Sequence, residues 1–127
     1  MTGVLVEYSL EGLSEVDSVD EGLRRRLEQW VEVLRTENIP LKEVYLFGSH
    51  AHGTPDDESD VDLCIVSDLK GQRRIDVMIK ARKALGAVTK EPIDILVYEQ
   101  DDFHKRADFV ANMEHTIKTE GVRVYGQ

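Results

Sequence analysis

The stretch that decides the fold of this chain runs from Leu46 to Val66 and reads LFGSHAHGTPDDESDVDLCIV. It begins as the end of an apolar strand, turns at a Gly-Ser pair, continues through a polar connector and enters a second apolar strand. Asp60 and Asp62 stand at the start of that second strand. Because successive side chains on a strand point to opposite faces, we expect both carboxylates on one face. The apolar residues between and after them are expected on the other face, in the core.

The paired carboxylates and the Gly-Ser turn are complementary halves of one kind of site. Two carboxylates that share a face repel each other unless a cation lies between them, and Mg²⁺ prefers one or two carboxylates with water and substrate phosphates. Gly48 permits a close approach of phosphate to the main chain. A helix beginning at Ser49 would add its hydroxyl and free N–H groups. The pattern predicts metal-dependent nucleotidyl transfer.

Gly48-Ser49, then ten residues, then Asp60-Val61-Asp62 resemble the signature of the DNA polymerase β-like nucleotidyltransferase superfamily. Within it, the short chain and the Leu-Phe-Gly-Ser lead-in resemble the MNT (minimal nucleotidyltransferase) family, which contains the antitoxin partners of HEPN-domain toxins. The resemblance runs from about Val31 to the C-terminus. Helical and strand periodicity supports an α/β (α+β) domain. The resemblance implies the nucleotidyltransferase fold, a small mixed β-sheet with helices packed against it.

The resemblance also assigns roles to the site residues. Asp60 and Asp62 would hold the metal that grips a triphosphate, and Gly48 and Ser49 would position its β- and γ-phosphates. Asp94 interrupts an apolar strand, where the superfamily places a third carboxylate that completes a two-metal Mg²⁺ site. An edge strand with Asp94 facing water is the alternative interpretation.

One departure from the family pattern concerns positive charge near the phosphates. Many relatives carry Arg between the Gly-Ser pair and the following Gly, whereas this chain has His50 and His52. A neutral imidazole does not replace a guanidinium. Arg73, Arg74 and Lys90 are the candidates for supplying that charge from other segments.

Composition bounds the remaining possibilities. The chain has 127 residues, which predicts one domain, and a formal net charge of −9, which argues against a long nucleic acid as a partner. No apolar run is long enough to span a bilayer, so we expect no membrane partner. The lone Cys64 fits a reducing cytoplasm and is expected as a buried core thiol.

Periodicity divides the chain into an N-terminal arm of uncertain order (1–17) and a nucleotidyltransferase domain (18–127). A capping box, Ser18 to Glu21, opens a helix that ends near Asn38 and buries Val19, Leu23, Leu27, Trp30, Val31 and Leu34. Strands are expected over 44–47, 61–66 and 92–98, and residues 122–125 are expected as a short terminal strand or an extended tail. A helix over about 70–85, capped by Ser67 or Asp68, would turn Ile75, Met78, Ile79, Arg82 and Leu85 inward. A last helix over about 101–120 would turn Phe103, Ala107, Val110, Met113, Glu114 and Ile117 inward.

Three functions fit these observations. The resemblance favours an antitoxin that transfers AMP from ATP onto a tyrosine of a separate HEPN-type toxin. The second is a small-molecule nucleotidyltransferase, as in aminoglycoside-modifying relatives; those usually add a helical domain for the acceptor, which a homodimer interface would have to replace here. The third is a non-catalytic antitoxin that acts by binding alone.

Overall fold

A four-stranded mixed sheet carries helices on both of its faces. The computed structural model describes residues 21–48 and 60–126. The elements in this part of the chain are α1 (Glu21–Thr36), β1 (Leu41–Phe47), β2 (Val61–Ser67), α2 (Arg74–Gly86), β3 (Ile93–Glu99), α3 (Gln100–Ala107), α4 (Met113–Glu120) and β4 (Val122–Gly126). The strand order is β3-β2-β1-β4, with β1 antiparallel to β2 and β4, and β2 parallel to β3. The expected α/β class with a small mixed sheet is confirmed.

Helices α1 and α2 pack on one face of this sheet. The residues that α1 buries, Leu23, Leu27, Trp30, Val31 and Leu34, are those that its helical spacing predicts within the described part. They share one apolar cluster with Val61, Leu63 and Ile65 of β2. Each side chain of this kind contributes about 1.5–3 kcal/mol when fully buried. The alternation predicted for β2 is therefore confirmed on its apolar side, and Asp62 lies on the opposite face.

Helices α3 and α4 cover that opposite face around a smaller cluster. Phe103 of α3 is fully buried, with its ring centroid 5.5 Å from that of Tyr45 and 5.5 Å from that of Tyr98. Cys64 belongs to the same cluster and is fully buried, which confirms it as a core thiol. Burial, followed by the negative charge of Glu114, raises the pKa of Cys64 above its ordinary value. The thiol is therefore protonated and unreactive in the folded protein.

The expected start of α2 is wrong, and its expected inner face is confirmed only at Leu85 and, in part, at Met78. The helix buries Val77, Ala81 and Leu85, whereas Ile75 and Ile79 are 45% and 46% exposed. It starts at Arg74 because Lys70 and Gly71 have positive φ angles of 51° and 87°, which a right-handed helix cannot include. The predicted cap residues serve elsewhere: Ser67 is the last residue of β2, and its hydroxyl donates to the Pro40 carbonyl oxygen at 2.9 Å.

The single helix expected over 101–120 is two helices, α3 and α4. Asn112 lies at the N-terminal boundary of α4, and its side-chain amide donates to the Arg106 carbonyl oxygen at 3.1 Å. His115 Nδ1 contacts the Ala107 carbonyl oxygen at 2.8 Å. These contacts occupy carbonyls at the end of α3 that a helix would otherwise bond four residues on. The predicted inward positions of Val110 and Met113 are consequently wrong, since they are 78% and 51% exposed.

The remaining differences concern boundaries. Strand β1 begins at Leu41, three residues before the predicted start, and α1 ends at Thr36 rather than near Asn38. The terminal strand appears as expected, as β4. The N-terminal arm (1–17) and the predicted cap at Ser18 lie outside the described residues. None of the described helices combines the length and apolar character needed to cross a membrane.

Candidate active site

Two of the predicted carboxylates stand side by side on neighbouring strands. Asp62 of β2 and Asp94 of β3 are direct partners in the parallel register. Neighbouring strands lie about 4.8 Å apart, and residues opposite each other in a sheet project from the same face. Asp94 is exposed and Asp62 partly so. The structure therefore brings these two carboxylates together at one end of the sheet.

Asp94 also lies on an edge strand, as the alternative interpretation of this residue expected. Strand β3 is the outermost strand on its side of the described sheet. Its first residue, Ile93, pairs with Val61, so Asp94 reaches the level of Asp62 rather than lying farther along the edge. Edge position and alignment with Asp62 are therefore compatible.

Asp60 directly precedes β2, and its side chain is partly exposed. The amide N–H of the next residue, Val61, donates to the carbonyl oxygen of Pro92 at 3.1 Å, which ties the starts of β2 and β3 together. Asp60 and Asp94 both border one open cavity at this end of the sheet. The three predicted carboxylates thus lie at the beginnings of two adjacent parallel strands.

Gly48 closes the site on the side of β1. It follows Phe47, which is the antiparallel partner of Asp62. Its φ angle is +77°, in the left-handed region that favours glycine. A Cβ atom at position 48 would lie 3.2 Å from Cγ of Asp62 and would overlap the Oδ2 atom of the same carboxylate. The backbone at Gly48 and the Asp62 carboxylate are therefore in close contact, as a shared phosphate and metal site requires.

The other half of the predicted phosphate cradle lies outside the described residues. Ser49, His50 and His52 belong to the segment 49–59. The role of Ser49 in phosphate binding and the meaning of the histidines stay predictions.

The carboxylates fit a Mg²⁺ site that is completed by substrate. Within residues 21–48 and 60–126, no three His, Cys, Asp or Glu side chains converge closely enough to hold a metal ion by themselves. Mg²⁺ does not need such a group, because it is commonly bound by one or two carboxylates together with waters and phosphate oxygens. The all-oxygen pair Asp62 and Asp94 provides this smaller donor set.

Arg73 and Arg74, two of the residues proposed to supply positive charge to the phosphates, bond to other groups at the N-terminal end of α2, away from the carboxylates. Arg73 bonds to Asp76, with its Nε 3.0 Å from Asp76 Oδ2. Arg74 donates to the Val97 carbonyl oxygen at 2.6 Å, and its guanidinium lies 4.9 Å from the centre of the Tyr98 ring. Val97 is three residues beyond Asp94 along β3, a rise of about 10 Å. Lys90 is exposed in the segment before β3.

A different arginine lies near the same end of the sheet, on the face that α2 covers and opposite the face from which Asp62 and Asp94 project. Arg82, on the last turns of α2, lines the same cavity as Asp60 and Asp94. No salt bridge or hydrogen bond joins it to another described residue. Sequence reasoning placed Arg82 on an otherwise apolar helix face without giving it a role. Ile75 and Ile79 of that predicted face are exposed, as Arg82 is, so the pattern held no valid signal for it.

Comparison with known proteins identifies the family of this chain. The family model for the nucleotidyltransferase domain matches residues 27–119, well over half of the chain. A Methanocaldococcus jannaschii protein named as a putative protein adenylyltransferase is 28% identical over 102 residues, which cover 80% of this chain and 96% of the relative.

Solved structures extend the comparison to the fold. The structure of a protein named as a putative nucleotidyltransferase from Sulfolobus solfataricus superposes with a TM-score of 0.57 at 20% identity, covering 94% of this chain and 88% of the other. A toxin–antitoxin structure with AMP-PNP gives a TM-score of 0.47 at 21% identity, covering 80% of this chain and 73% of the other. The first of these shows a shared fold, and the second is too distant to carry an argument.

Proposed function

Because the chain belongs to the nucleotidyltransferase domain family, we propose that this enzyme transfers AMP from ATP onto a tyrosine hydroxyl of a partner protein. The observation that carries the site assignment is the alignment of Asp62 with Asp94 directly beside Gly48. The name of the archaeal relative supports a protein as the acceptor. The resemblance to MNT antitoxins supports a HEPN-type toxin as that protein and an antitoxin role for this chain.

The chemistry is an in-line displacement at the α-phosphorus of ATP. The tyrosine oxygen forms a bond to the α-phosphorus while the bond to the bridging oxygen breaks, and pyrophosphate leaves. The phenolic proton passes to the Asp94 carboxylate and on to water. Catalysis of this reaction depends mainly on positioning and charge neutralisation.

The site residues divide the tasks of this scheme. Asp60 and Asp62 would hold the Mg²⁺ that binds the triphosphate, and Asp94 would complete the site on the acceptor side and take the phenolic proton. When bound, Mg²⁺ neutralises charge on the phosphates and lowers the pKa of an oxygen that it contacts. Gly48 has no side chain, so the Asp62 carboxylate can lie directly against its backbone, and Ser49 would donate a hydrogen bond to a phosphate bound there.

The test is transfer of label from [α-³²P]ATP in the presence of Mg²⁺, with and without the product of the neighbouring gene, read on a denaturing gel. We expect label on the partner protein and its loss in Asp62→Asn, because an amide cannot replace the charged ligand. Asp108→Asn is the matched control, since Asp108 is exposed beyond the end of α3. Loss of an acidic charge at that position should leave transfer unchanged.

The outcomes separate the three functions. Unchanged transfer and metal dependence in Asp62→Asn would overturn the site assignment. A tight complex without label would favour an antitoxin that acts by binding. Neither complex nor label on the partner would redirect the search to small-molecule acceptors.

A further inference from the structure

Large apolar side chains are exposed together at the connection between α3 and α4. Phe109, Val110 and Met113 are 63%, 78% and 51% exposed, and we call them the α3–α4 patch. Ile75 and Ile79, 45% and 46% exposed on α2, form a second group, the α2 patch. Exposed apolar side chains that stand together, unlike scattered single ones, mark surfaces that another molecule covers.

The two patches lie on opposite sides of the sheet. Helix α2 packs on the face that carries the larger apolar cluster, whereas α3 and α4 cover the face that carries the smaller one. Asp62 and Asp94 project from this second face, since Asp62 alternates with the apolar residues of β2 and Asp94 is its direct partner. An acceptor hydroxyl must reach these carboxylates. The acceptor therefore approaches from the face that carries the α3–α4 patch.

The start of α4 is tied to the strand that carries Asp94. The hydroxyl of Tyr98 on β3 donates a hydrogen bond to Glu114, the residue after Met113. Tyr98 projects from the same face as Asp94 and lies farther along the same strand, after a rise of about 13 Å. The α3–α4 patch thus adjoins the part of β3 that leads to the site.

The end of α4 lies against β1 close to the site. A Cβ atom at Gly121, directly after α4, would lie 2.9 Å from the carbonyl oxygen of Leu46, which shortly precedes Gly48. Helix α4 therefore crosses this face from the side of β3 toward β1. A protein interface of ordinary size covers about 800 Å² of each partner, on the order of 30 Å across. One such interface spans both the carboxylates and the α3–α4 patch.

We propose that the α3–α4 patch is the docking surface for the acceptor protein, which covers it with apolar side chains while it presents its tyrosine to Asp94. The inference rests on the proposed function and adds the surface that selects the protein substrate. Aromatic residues and methionine are enriched at protein interfaces, where a few residues carry most of the binding energy. A second copy of this chain is a poorer occupant, because two chains of net charge −9 repel each other.

The experiment measures AMP transfer to two acceptors, the product of the neighbouring gene and N-acetyl-tyrosinamide, which is too small to reach the patch from Asp94. The patch variant is Phe109→Ala/Val110→Ala. The matched control is Ile75→Ala/Ile79→Ala, which truncates two exposed apolar side chains on the other face. We expect the patch variant to raise the KM for the protein acceptor at least tenfold, as truncation of interface hot spots does. Its KM values for the amide and for MgATP should be unchanged, and the control should match wild type throughout.

Thermal unfolding of both variants separates misfolding from a docking defect. Equal KM values for the protein acceptor in the patch variant and the control would overturn this inference and leave the proposed function standing. An equal loss with both acceptors would place the defect at the site itself and would also overturn it. So would a wild-type dimer that light scattering shows to dissociate in the patch variant while transfer to the protein is unchanged, because a second copy would then occupy the patch. A wild type that labels no protein acceptor would overturn the proposed function, and this inference with it.

Discussion

A side chain at position 48 would clash with the Asp62 carboxylate. Gly48→Ala adds a Cβ atom that overlaps Asp62 Oδ2, on a backbone with φ of +77°. The left-handed backbone alone costs a non-glycine residue about 1–3 kcal/mol. Because the carboxylate must also move, we expect AMP transfer to fall at least tenfold, and more than the loss of stability accounts for. Urea denaturation and the rate of transfer at saturating Mg²⁺ measure the two effects separately.

Gly71→Ala is the matched control for this substitution. Gly71 has φ of +87°, and a Cβ atom there would meet nothing within 4 Å. It should show a similar loss of stability with the transfer rate unchanged at temperatures where the protein is folded. Equal activity of the two variants would show that space at Gly48 is not needed for catalysis.

Single residues of the site differ in how far the sequence predicts them. Strand alternation is a local rule, and it correctly separated Asp62 from the apolar face of β2. The pairing of Asp62 with Asp94 depends on the register between strands that are separated by a whole helix, which the sequence does not contain as a local signal. The resemblance to a family supplied it instead. The place of Arg82 at the cavity that Asp60 and Asp94 border was not predicted, because it depends on where α2 ends relative to β3.

Helix α2 provides a direct test at the scale of an element, since its observed inner face differs from the one its sequence suggests. Val77→Ala removes buried methyl groups and should destabilise the protein by about 1.5–3 kcal/mol. Ile79 is 46% exposed, so Ile79→Ala should change stability by less than about 0.5 kcal/mol. Urea denaturation followed by circular dichroism measures both. A larger effect at Ile79 than at Val77 would show that α2 is rotated relative to this structure.

The buried carboxylate of Glu43 joins three elements at the other end of the sheet. It accepts a hydrogen bond from the Tyr45 hydroxyl at 2.7 Å and contacts His104 Nε2 of α3 at 2.5 Å. Arg123 of β4 lies 3.7 Å from the same carboxylate. Glu43→Ala leaves the buried Tyr45 and the half-buried His104 without this partner, which should cost about 1–3 kcal/mol.

The matched control for Glu43 is Glu120→Ala, because Glu120 is an exposed glutamate at the end of α4. It should be nearly neutral in the same denaturation experiment. A Glu43→Ala variant as stable as the control would show that the network contributes nothing net. Neither substitution should change AMP transfer, since Glu43 lies at the start of β1 and the site lies beyond its end.

The helices and strands that the sequence predicted best are those whose apolar residues follow one regular spacing and pack on one side only. The five buried residues of α1 follow from spacing alone because this helix is amphipathic and packs on one side of the sheet. The division of the predicted last helix into α3 and α4 could not be read from spacing, since its apolar stripe continues through the break. It depends on side chains that bond to carbonyls across the turn, such as Asn112 to Arg106. Such contacts exist only once the two helices pack on the sheet.

The described part of the molecule has two apolar clusters, and the smaller one contains a thiol and two phenols whose ionisation should make stability fall at high pH. Burial, followed by nearby glutamates, raises the pKa of Cys64 and of Tyr45, and burial with a hydrogen bond to Glu114 raises that of Tyr98. In the unfolded chain, Cys ionises near pH ~8.5 and Tyr near pH ~10. Above these values the unfolded state loses protons that the folded state keeps, so the free energy of unfolding decreases with rising pH. Below about pH 8 both states are protonated, and these groups contribute no pH dependence.

We therefore expect the free energy of unfolding to be level from pH 7 to 8 and to fall above pH ~8.5, by up to about 1.4 kcal/mol per pH unit for each ionising group. Urea midpoints measured from pH 7 to 10.5 under reducing conditions test this. Cys64→Ala should be less stable than wild type below pH ~8.5, because it leaves a small cavity. Its stability should not begin to fall until pH ~10, where the tyrosines of the unfolded chain ionise. Wild-type stability that stayed constant up to pH 10.5 would mean that these groups are solvated in the folded state. The smaller cluster would then be more open than its buried aromatic contacts indicate.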